Sequence, residues 1–285
     1  MRIYIFVDLE GVCGVRNFEE WEKPGSYYHD MARELTTMEV NAAIEGFYDA
    51  GAEYVLVLEG HGPGAIDILK LDRRAELMRG RASNTPAGLD ESFDALAFVG
   101  MHAKSRTPFS HLTHTTSSHY LEMSVNGVAI GEFGKYALCA NEMGVPAIFA
   151  AGEQALAAEA QALVPGIETA AVKRGTVPGR GDGCTFEQYR KHPLGAIHLH
   201  PERARELIKA GARRAVERAA KEKFGFVEKI KPPYRLVSVW RGTDENPQRT
   251  YTVATHESSF QELLRVPRER KPVASDEQLR ELLVD

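Results

Sequence analysis

The sequence predicts an α/β fold: a mostly parallel central sheet flanked by helices, with its functional site at the carboxyl ends of the strands. Three observations predict it. The apolar runs "RIYIFVD", "EYVLVLEG", "FDALAFVG" and "VPAIFAAG" are near-continuous rather than alternating, as in strands buried on both faces. Segments of helical periodicity separate or follow several of these runs. The first three runs lead directly into glycine and ionisable side chains, and open α/β sheets bind ligands outside the carboxyl ends of their strands.

Taken in order, "RIYIFVD" is the first core strand. Thr36 and Glu39 have capping-box spacing, Val40, Ile44 and Phe47 recur on one face, and Gly51 sits where a C-terminal cap falls, which predicts a helix over roughly 37–50. "EYVLVLEGHGPG" is a second strand running into a glycine-rich loop, and "FDALAFVGMHA" repeats the design. In "YLEMSVNGVAIGE" the pair Asn126-Gly127 signals a type I′ hairpin that delivers an acid, Glu132, at its end. A helix over 133–143, the strand "VPAIFAAG" and the helix "EQALAAEAQAL" follow. From about residue 174 the glycine-rich "RGTVPGRGDGC" reads as loop before the long helix "HPERARELIKAGARRAVERAAKEKFG". Ala204, Leu207, Ile208, Ala212, Ala215 and Ala219 mark its inner face. Glu202, Glu206, Glu217 and Glu222 interleave its basic residues, which makes the outer face a solvated one rather than a nucleic-acid stripe. "PYRLVSVW" and "RTYTVATH" are two further strands, and short amphipathic helices close the chain near 258–265 and 275–283. With no internal repeat and no long linker, residues 1–285 are expected to form a single unit, with room for a smaller C-terminal α+β subdomain from about residue 200 to 285.

Composition narrows the function. Over 285 residues the chain is 43% hydrophobic and 26% charged with a net charge of −5, so no global basic field favours nucleic acid or an anionic membrane. No window offers a membrane span or a signal peptide, and a cytoplasmic location is the expectation. Cys13, Cys139 and Cys184 are odd in number and far apart, which fits reduced thiols better than a disulfide framework or thiolate zinc site.

Asp8, Glu10, His61, His102 and Glu132 all fall at or just beyond strand ends. Singly, each reads as a capping acid or a loop histidine. Together they form an imidazole-plus-carboxylate set suited to zinc or a similar divalent ion. Three carboxylates and two histidines exceed what one four-coordinate ion with an open water position needs, so two ions are inferred. A pair about 3.5 Å apart needs a bridging carboxylate, and Asp8 at the strand tip is the candidate. The implied reaction is metal-assisted hydrolysis. Between His102 and Glu132 lies "KSRTPFSHLTHTTSSHY", an active-site loop whose His111, His114 and His119 could donate to a leaving amine or stabilise an oxyanion. Spacing alone does not choose among them.

The blocks "VDLEG", "VLEGHG", "FVGMHAKSRTP", "VNGVAIGEFG", "VPAIFAAGE" and "TAAVK" span residues 1–173 in order, and in them the chain resembles the D-aminopeptidase family of zinc metallopeptidases, the DppA-like group. The resemblance implies two zinc ions per chain, with Asp8 bridging, Glu10 and His61 on one ion, and His102 and Glu132 on the other. It also implies a catalytic histidine before the last acid; His114, eighteen residues before Glu132, matches that position and His111 does not. A metal hydroxide being available, His114 is read as proton donor and oxyanion stabiliser rather than nucleophile. The family removes an N-terminal D-amino acid such as D-alanine from short peptides and assembles as a homo-oligomer, a decamer of two stacked pentamers whose channel admits small substrates. The chain departs from the family pattern in a loop one residue longer between His102 and His114 and in a longer segment at 173–196. That segment brings Arg174, Arg180 and Asp182, either as a surface loop or as a wall of the pocket.

Two other readings stand beside this one. A strand ending in D-x-[DE] also suits a magnesium-dependent phosphatase with Asp8 as nucleophile, but that leaves His61, His102 and Glu132 without work, and magnesium seldom takes imidazole. A non-catalytic, metal-stabilised scaffold is the third, opposed by competent residues at all five ligand positions and at His114.

Overall fold

The computed structural model describes residues 1–80 and 85–284. In chain order the elements are β1 (Arg2–Val7), α1 (Phe18–Trp21), α2 (His29–Asp49), β2 (Tyr54–Glu59), β3 (Glu76–Met78), β4 (Ala95–Met101), β5 (Tyr120–Val125) and β6 (Val128–Ala129). There follow α3 (Glu132–Glu142), β7 (Ala147–Glu153), α4 (Gln154–Leu163), β8 (Glu168–Gly175), α5 (Phe186–Tyr189), β9 (Ala196–His198) and α6 (Pro201–Ala219). The last are β10 (Tyr234–Trp240), β11 (Thr250–His256), α7 (Phe260–Arg265), β12 (Lys271–Pro272) and α8 (Asp276–Leu282).

A seven-stranded sheet in the order β3-β2-β1-β4-β7-β8-β9 is parallel except for β9, so the predicted α/β class holds. Strand β1 shows why its run is continuous: Ile3, Ile5 and Val7 face one core with α2 and α6, while Tyr4 and Phe6 face another with α3 and α4. A second, antiparallel sheet in the order β12-β11-β10-β5-β6 packs on the latter side, where Met123, Val125 and Leu236 join the core. It pairs residues 120–125 with 236–240, so strands remote in sequence share one layer, while α6 lies against α2 on the parallel sheet. Among the described residues no helix is long and apolar enough to cross a membrane.

Three local expectations are corrected. Helix α2 begins at His29, eight residues before the expected start, and Thr36 is an interior residue rather than a cap. Its hydroxyl donates to the Ala32 carbonyl at 2.8 Å, a back-bond that lets a polar residue sit fully buried in a helix. Glu39, expected to complete the cap, instead accepts from the Cys13 amide at 2.9 Å. On α6, Leu207 and Ala219 are only half-buried and Val216 takes a place in the core, while Arg213–Glu217 and Arg218–Glu222 pairs line the outer face as expected. Strand β8 runs to Gly175, so the sheet enters the region read as loop from 174, where Arg174 and Gly175 pair antiparallel with β9.

Candidate metal centre

The sheet delivers three of the five expected ligands at its topological switch, where β1 is flanked by β2 and β4. Asp8 follows β1 directly, its amide donating to the Val99 carbonyl at 2.9 Å and so prolonging the β1–β4 ladder. His102 follows β4, and His61 lies two residues beyond β2, where the Gly60 amide donates to the Val7 carbonyl at 2.9 Å. Glu10 sits on a turn that crosses the end of β4. The Gly11 amide donates to the Gly100 carbonyl at 2.7 Å, and a Cβ on Gly11 would lie 1.9 Å from the Met101 carbonyl oxygen, so only glycine permits that approach. Glu132 does not come from the parallel sheet: it is the first residue of α3, carried by the β5–β6 hairpin, whose Asn126 and Gly127 both have positive φ as a type I′ turn requires.

These side chains converge in a buried space. The His102 Nε2 lies 3.4 Å from Asp8 Oδ2 and 3.6 Å from Glu132 Oε1, and the His61 Nε2 lies 3.6 Å from Glu10 Oε1. The His114 Nε2 lies 3.8 Å from Glu10 Oε1 and 3.7 Å from Glu132 Oε1. Such separations are long for hydrogen bonds but close to the roughly 3.3 Å between two ligands held about 2.0–2.1 Å from a tetrahedral zinc. Glu10 Oε2, both His61 ring nitrogens and His102 Nε2 are buried with no hydrogen-bond partner, a costly state for a native interior unless another group engages them. Burial and the neighbouring Glu10 push the Asp8 carboxyl up to about 7, a repulsion that a shared cation relieves. Ligand atoms fall into three triplets within 4.8 Å: Asp8, Glu10 and His61; Asp8, His102 and Glu132; and Glu10, His102 and His114. The donor set therefore fits a divalent ion that favours nitrogen and oxygen; Asp8, Glu10 and His102 each belong to two of the triplets, and Asp8 is the residue common to the Glu10–His61 and His102–Glu132 sets.

Carbonyl groups orient the imidazoles. His102 Nδ1 lies 2.9 Å from the Ala103 carbonyl and His114 Nδ1 lies 2.9 Å from that of Leu112; a carbonyl only accepts, so each Nδ1 carries the proton and each Nε2 turns a lone pair to the cluster. The two rings stack with centroids 4.1 Å apart. The Thr116 amide donates to Glu132 Oε1 at 2.8 Å.

The loop bearing His114 is held against backbone preference. Arg106, Phe109, Leu112 and Thr116 all adopt positive φ, between 53° and 67°, where non-glycine residues are strained. Glu153, fully buried at the end of β7, fastens the loop at two points: Oε1 accepts from the Ala103 amide at 2.8 Å and Oε2 from the His111 amide at 2.6 Å. The Thr113 hydroxyl donates back to the Lys104 carbonyl at 2.6 Å. Behind Glu10, buried Lys173 donates to the Glu10 carbonyl and, at 3.4 Å, to that of Val15. Of the three loop histidines, only His114 reaches the cluster. His111 faces the interior, 3.1 Å from the Arg16 carbonyl, where burial and Lys173 push it down to about 2. His119 stacks on Phe186 with centroids 3.7 Å apart.

A cavity of about 350 Å³ opens over the cluster, lined by Asp8, Glu10, His61, His114 and Glu132 together with Glu22, Lys135 and Tyr136. The last three were not singled out in the sequence, and nothing in their local pattern marks them: Glu22 is one of three acids around α1, and Lys135 lies within a helix. Glu153 and Lys173 carry the same signal as Asp8, a charge at the end of an apolar run, and could have been found by it. The segment 173–196 is not a free surface loop. The Tyr189 hydroxyl accepts from the Arg106 amide at 3.2 Å, and Asp182 Oδ1 accepts from Arg106 Nε at 2.9 Å, which ties the segment to the His114 loop.

A profile of the peptidase M55 family, described as D-aminopeptidase, matches residues 1–246. A curated D-aminopeptidase of Bacillus subtilis (strain 168) is 30% identical over 177 residues, 61% of this chain and 64% of that protein. The chain thus spans just under two thirds of the length of this curated relative. Among solved structures it is similar to the "Zn-dependent D-aminopeptidase DppA from Bacillus subtilis, a self-compartmentalizing protease", with a TM-score of 0.70 and 25% identity over 85% of this chain and 81% of that one. With the profile covering most of its length, the fold in common and a donor set suited to zinc, the chain belongs to the D-aminopeptidase family, peptidase M55.

Proposed function

We propose that the chain is a dinuclear zinc aminopeptidase that releases the N-terminal residue, a D-amino acid, from short peptides or amides. The observation that carries this is the pair of ligand triplets sharing Asp8, with the His114 Nε2 facing the same acids. Asp8 would bridge, Glu10 and His61 would hold one ion, and His102 and Glu132 the other. When bound, zinc supplies Lewis-acid polarisation of the scissile carbonyl and acidifies water near neutral pH. His114 moves the proton: its Nδ1 is committed to the Leu112 carbonyl, so Nε2 accepts from the attacking water and returns the proton to the leaving amine. Burial holds its imidazole below the ordinary histidine range, which keeps that lone pair available. The strained, doubly fastened loop keeps Nε2 in place without reorganisation at the moment of reaction.

A cavity of about 350 Å³ is at the small end of ligand sites and suits a peptide of few residues. The preference for a D-residue rests on the family. Assembly as a homo-oligomer, a decamer, is part of the same reading; exposed Tyr27, Met31, Ile68 and Leu69 supply apolar surface for contacts between copies. A cytoplasmic location is supported by three free cysteines, two of them buried. A screen of dipeptides and amino-acid amides in D and L pairs on zinc-loaded protein tests reaction class and chirality together. Release of the D-residue supports the proposal; magnesium-dependent phosphate release instead would support Asp8 as a phosphatase nucleophile.

A further inference from the structure

We propose that Glu22 anchors the free α-ammonium group of the substrate, and that with Lys135 it makes the cavity a charge-polarised slot that takes a short peptide in one direction. The inference rests on the aminopeptidase reading above and deepens it.

An enzyme that removes the first residue of a peptide must distinguish a terminal ammonium from an internal amide. Four carboxylates line the cavity. Asp8, Glu10 and Glu132 belong to the ligand triplets, and Glu22 belongs to none. It arrives from a different part of the fold, one residue beyond α1, and not from a strand end. Its side chain is 20% exposed, enough to be met from the cavity, with Oε1 3.7 Å from the His61 Nε2. Oε2 is buried and has no hydrogen-bond partner; Arg190 Nη2 faces it at 3.8 Å, beyond hydrogen-bond reach. Arg190 Nη2 has no hydrogen-bond partner of its own; it lies between Glu22 and Glu19, 3.6 Å from Glu19 Oε1, and its guanidinium stacks 4.4 Å from the Phe18 ring centroid. The carboxylate is thus positioned by a cation that does not satisfy it. An ammonium carries three donors and no acceptor, the complement of such a group.

The opposite charge sits at the other side of the cluster. Lys135 is one helical turn beyond Glu132 on α3 and lines the same cavity, its ammonium 4.3 Å from the Tyr136 ring centroid. Negative charge beside His61 and positive charge beside Glu132 match the two ends of a zwitterionic dipeptide. With the ammonium at Glu22, the remainder of the peptide runs toward Lys135 and its first carbonyl lies over the ligand cluster. The segment 173–196 enters here as well, since it supplies Arg190 and so sets the Glu22 carboxylate. A peptide blocked at its N-terminus cannot satisfy Glu22 and leaves the acid desolvated, the kind of penalty that gives polar sites their selectivity.

The test compares wild type with Glu22→Gln, Glu22→Asp and, outside the cavity, Glu19→Gln, which removes Arg190's other partner. Zinc content, calorimetric binding of D-alanine and of propionate, and kcat and KM on D-alanyl-D-alanine are measured on zinc-loaded protein. Glu22→Gln is expected to keep its zinc, to raise KM by roughly 10- to 100-fold with a much smaller change in kcat, and to lose the preference for D-alanine over propionate. Glu22→Asp restores part of that preference, and Glu19→Gln behaves as wild type. A Glu22→Gln protein that still prefers D-alanine, or one that loses a zinc ion and so marks Glu22 as a ligand, overturns the inference while leaving the aminopeptidase reading intact. Wild-type protein that carries zinc yet cleaves neither D- nor L-dipeptides overturns that underlying reading itself.

Discussion

Replacing Lys173 by methionine, which keeps the length of the side chain and removes its charge, tests whether the floor of the site is held by a buried electrostatic cluster. Lys173 is 3% exposed, donates to the carbonyls of Glu10 and Val15, and is the cation shared by two buried acids, Glu39 and Glu153. Burial pushes Glu39 up to about 8 and Glu153 up to about 7, both from an ordinary value of 4.5, and it brings Lys173 down to about 8. At pH 8 Glu153 is largely ionised and Glu39 about half ionised, and removing their cation leaves buried charge uncompensated at a cost of up to about 3–5 kcal/mol. That is a large part of the about 5–15 kcal/mol that holds a typical domain folded. The stability these acids contribute is fully present below 4.5 and lost as pH rises through 7 to 8, and without Lys173 the loss steepens. At pH 5 both acids are protonated in the folded protein, no bare anion remains, and the variant loses only hydrogen bonds, about 1–2 kcal/mol. Urea unfolding of wild type and Lys173→Met at pH 5 and pH 8, in chelator so that metal does not differ between them, reads both numbers. Equal losses at the two pH values, or a loss under about 1 kcal/mol at pH 8, would refute the reasoning.

His114→Ala keeps its zinc, as metal analysis would show, and loses about 10²- to 10⁴-fold in kcat; retained turnover removes His114 from the mechanism. Gly11→Ala places a methyl group 1.9 Å from the Met101 carbonyl oxygen and must displace the Glu10 turn. It is expected to lose about 1–3 kcal/mol in urea unfolding and to weaken zinc binding in a chelator competition; an unchanged zinc affinity would show that the turn does not position Glu10.

Much of the candidate site was legible because the parallel sheet imposes one rule on distant residues. Each apolar run is a strand, each strand ends at the same edge, and a charged or imidazole group just past the end lands there, as Asp8, His61 and His102 do. Asn126-Gly127 was equally clear, because a type I′ turn demands positive φ at both positions. The start of α2 was not, because Thr36 and Thr37 resemble caps in sequence while their hydroxyls bond back to Ala32 and Arg33 inside the helix. The antiparallel sheet joins β5 to β10 across more than a hundred residues, and no local pattern announces such a partner. The same holds for Glu22 and Arg190, which meet only because α1 and the segment 173–196 fold against each other. Periodicity and turn chemistry found what backbone geometry places; they did not find what side chains from separate elements build together.

In the proposed centre Asp8 joins two ions in one site. Zinc per chain, measured by inductively coupled plasma mass spectrometry on wild type and Asp8→Ala after removal of loosely held metal, tests it most directly. Two ions in the wild type and loss of both in Asp8→Ala are the predicted result, since Asp8 belongs to both the Glu10–His61 and the His102–Glu132 triplets. A single ion in the wild type, or a variant that still holds two, would contradict the account.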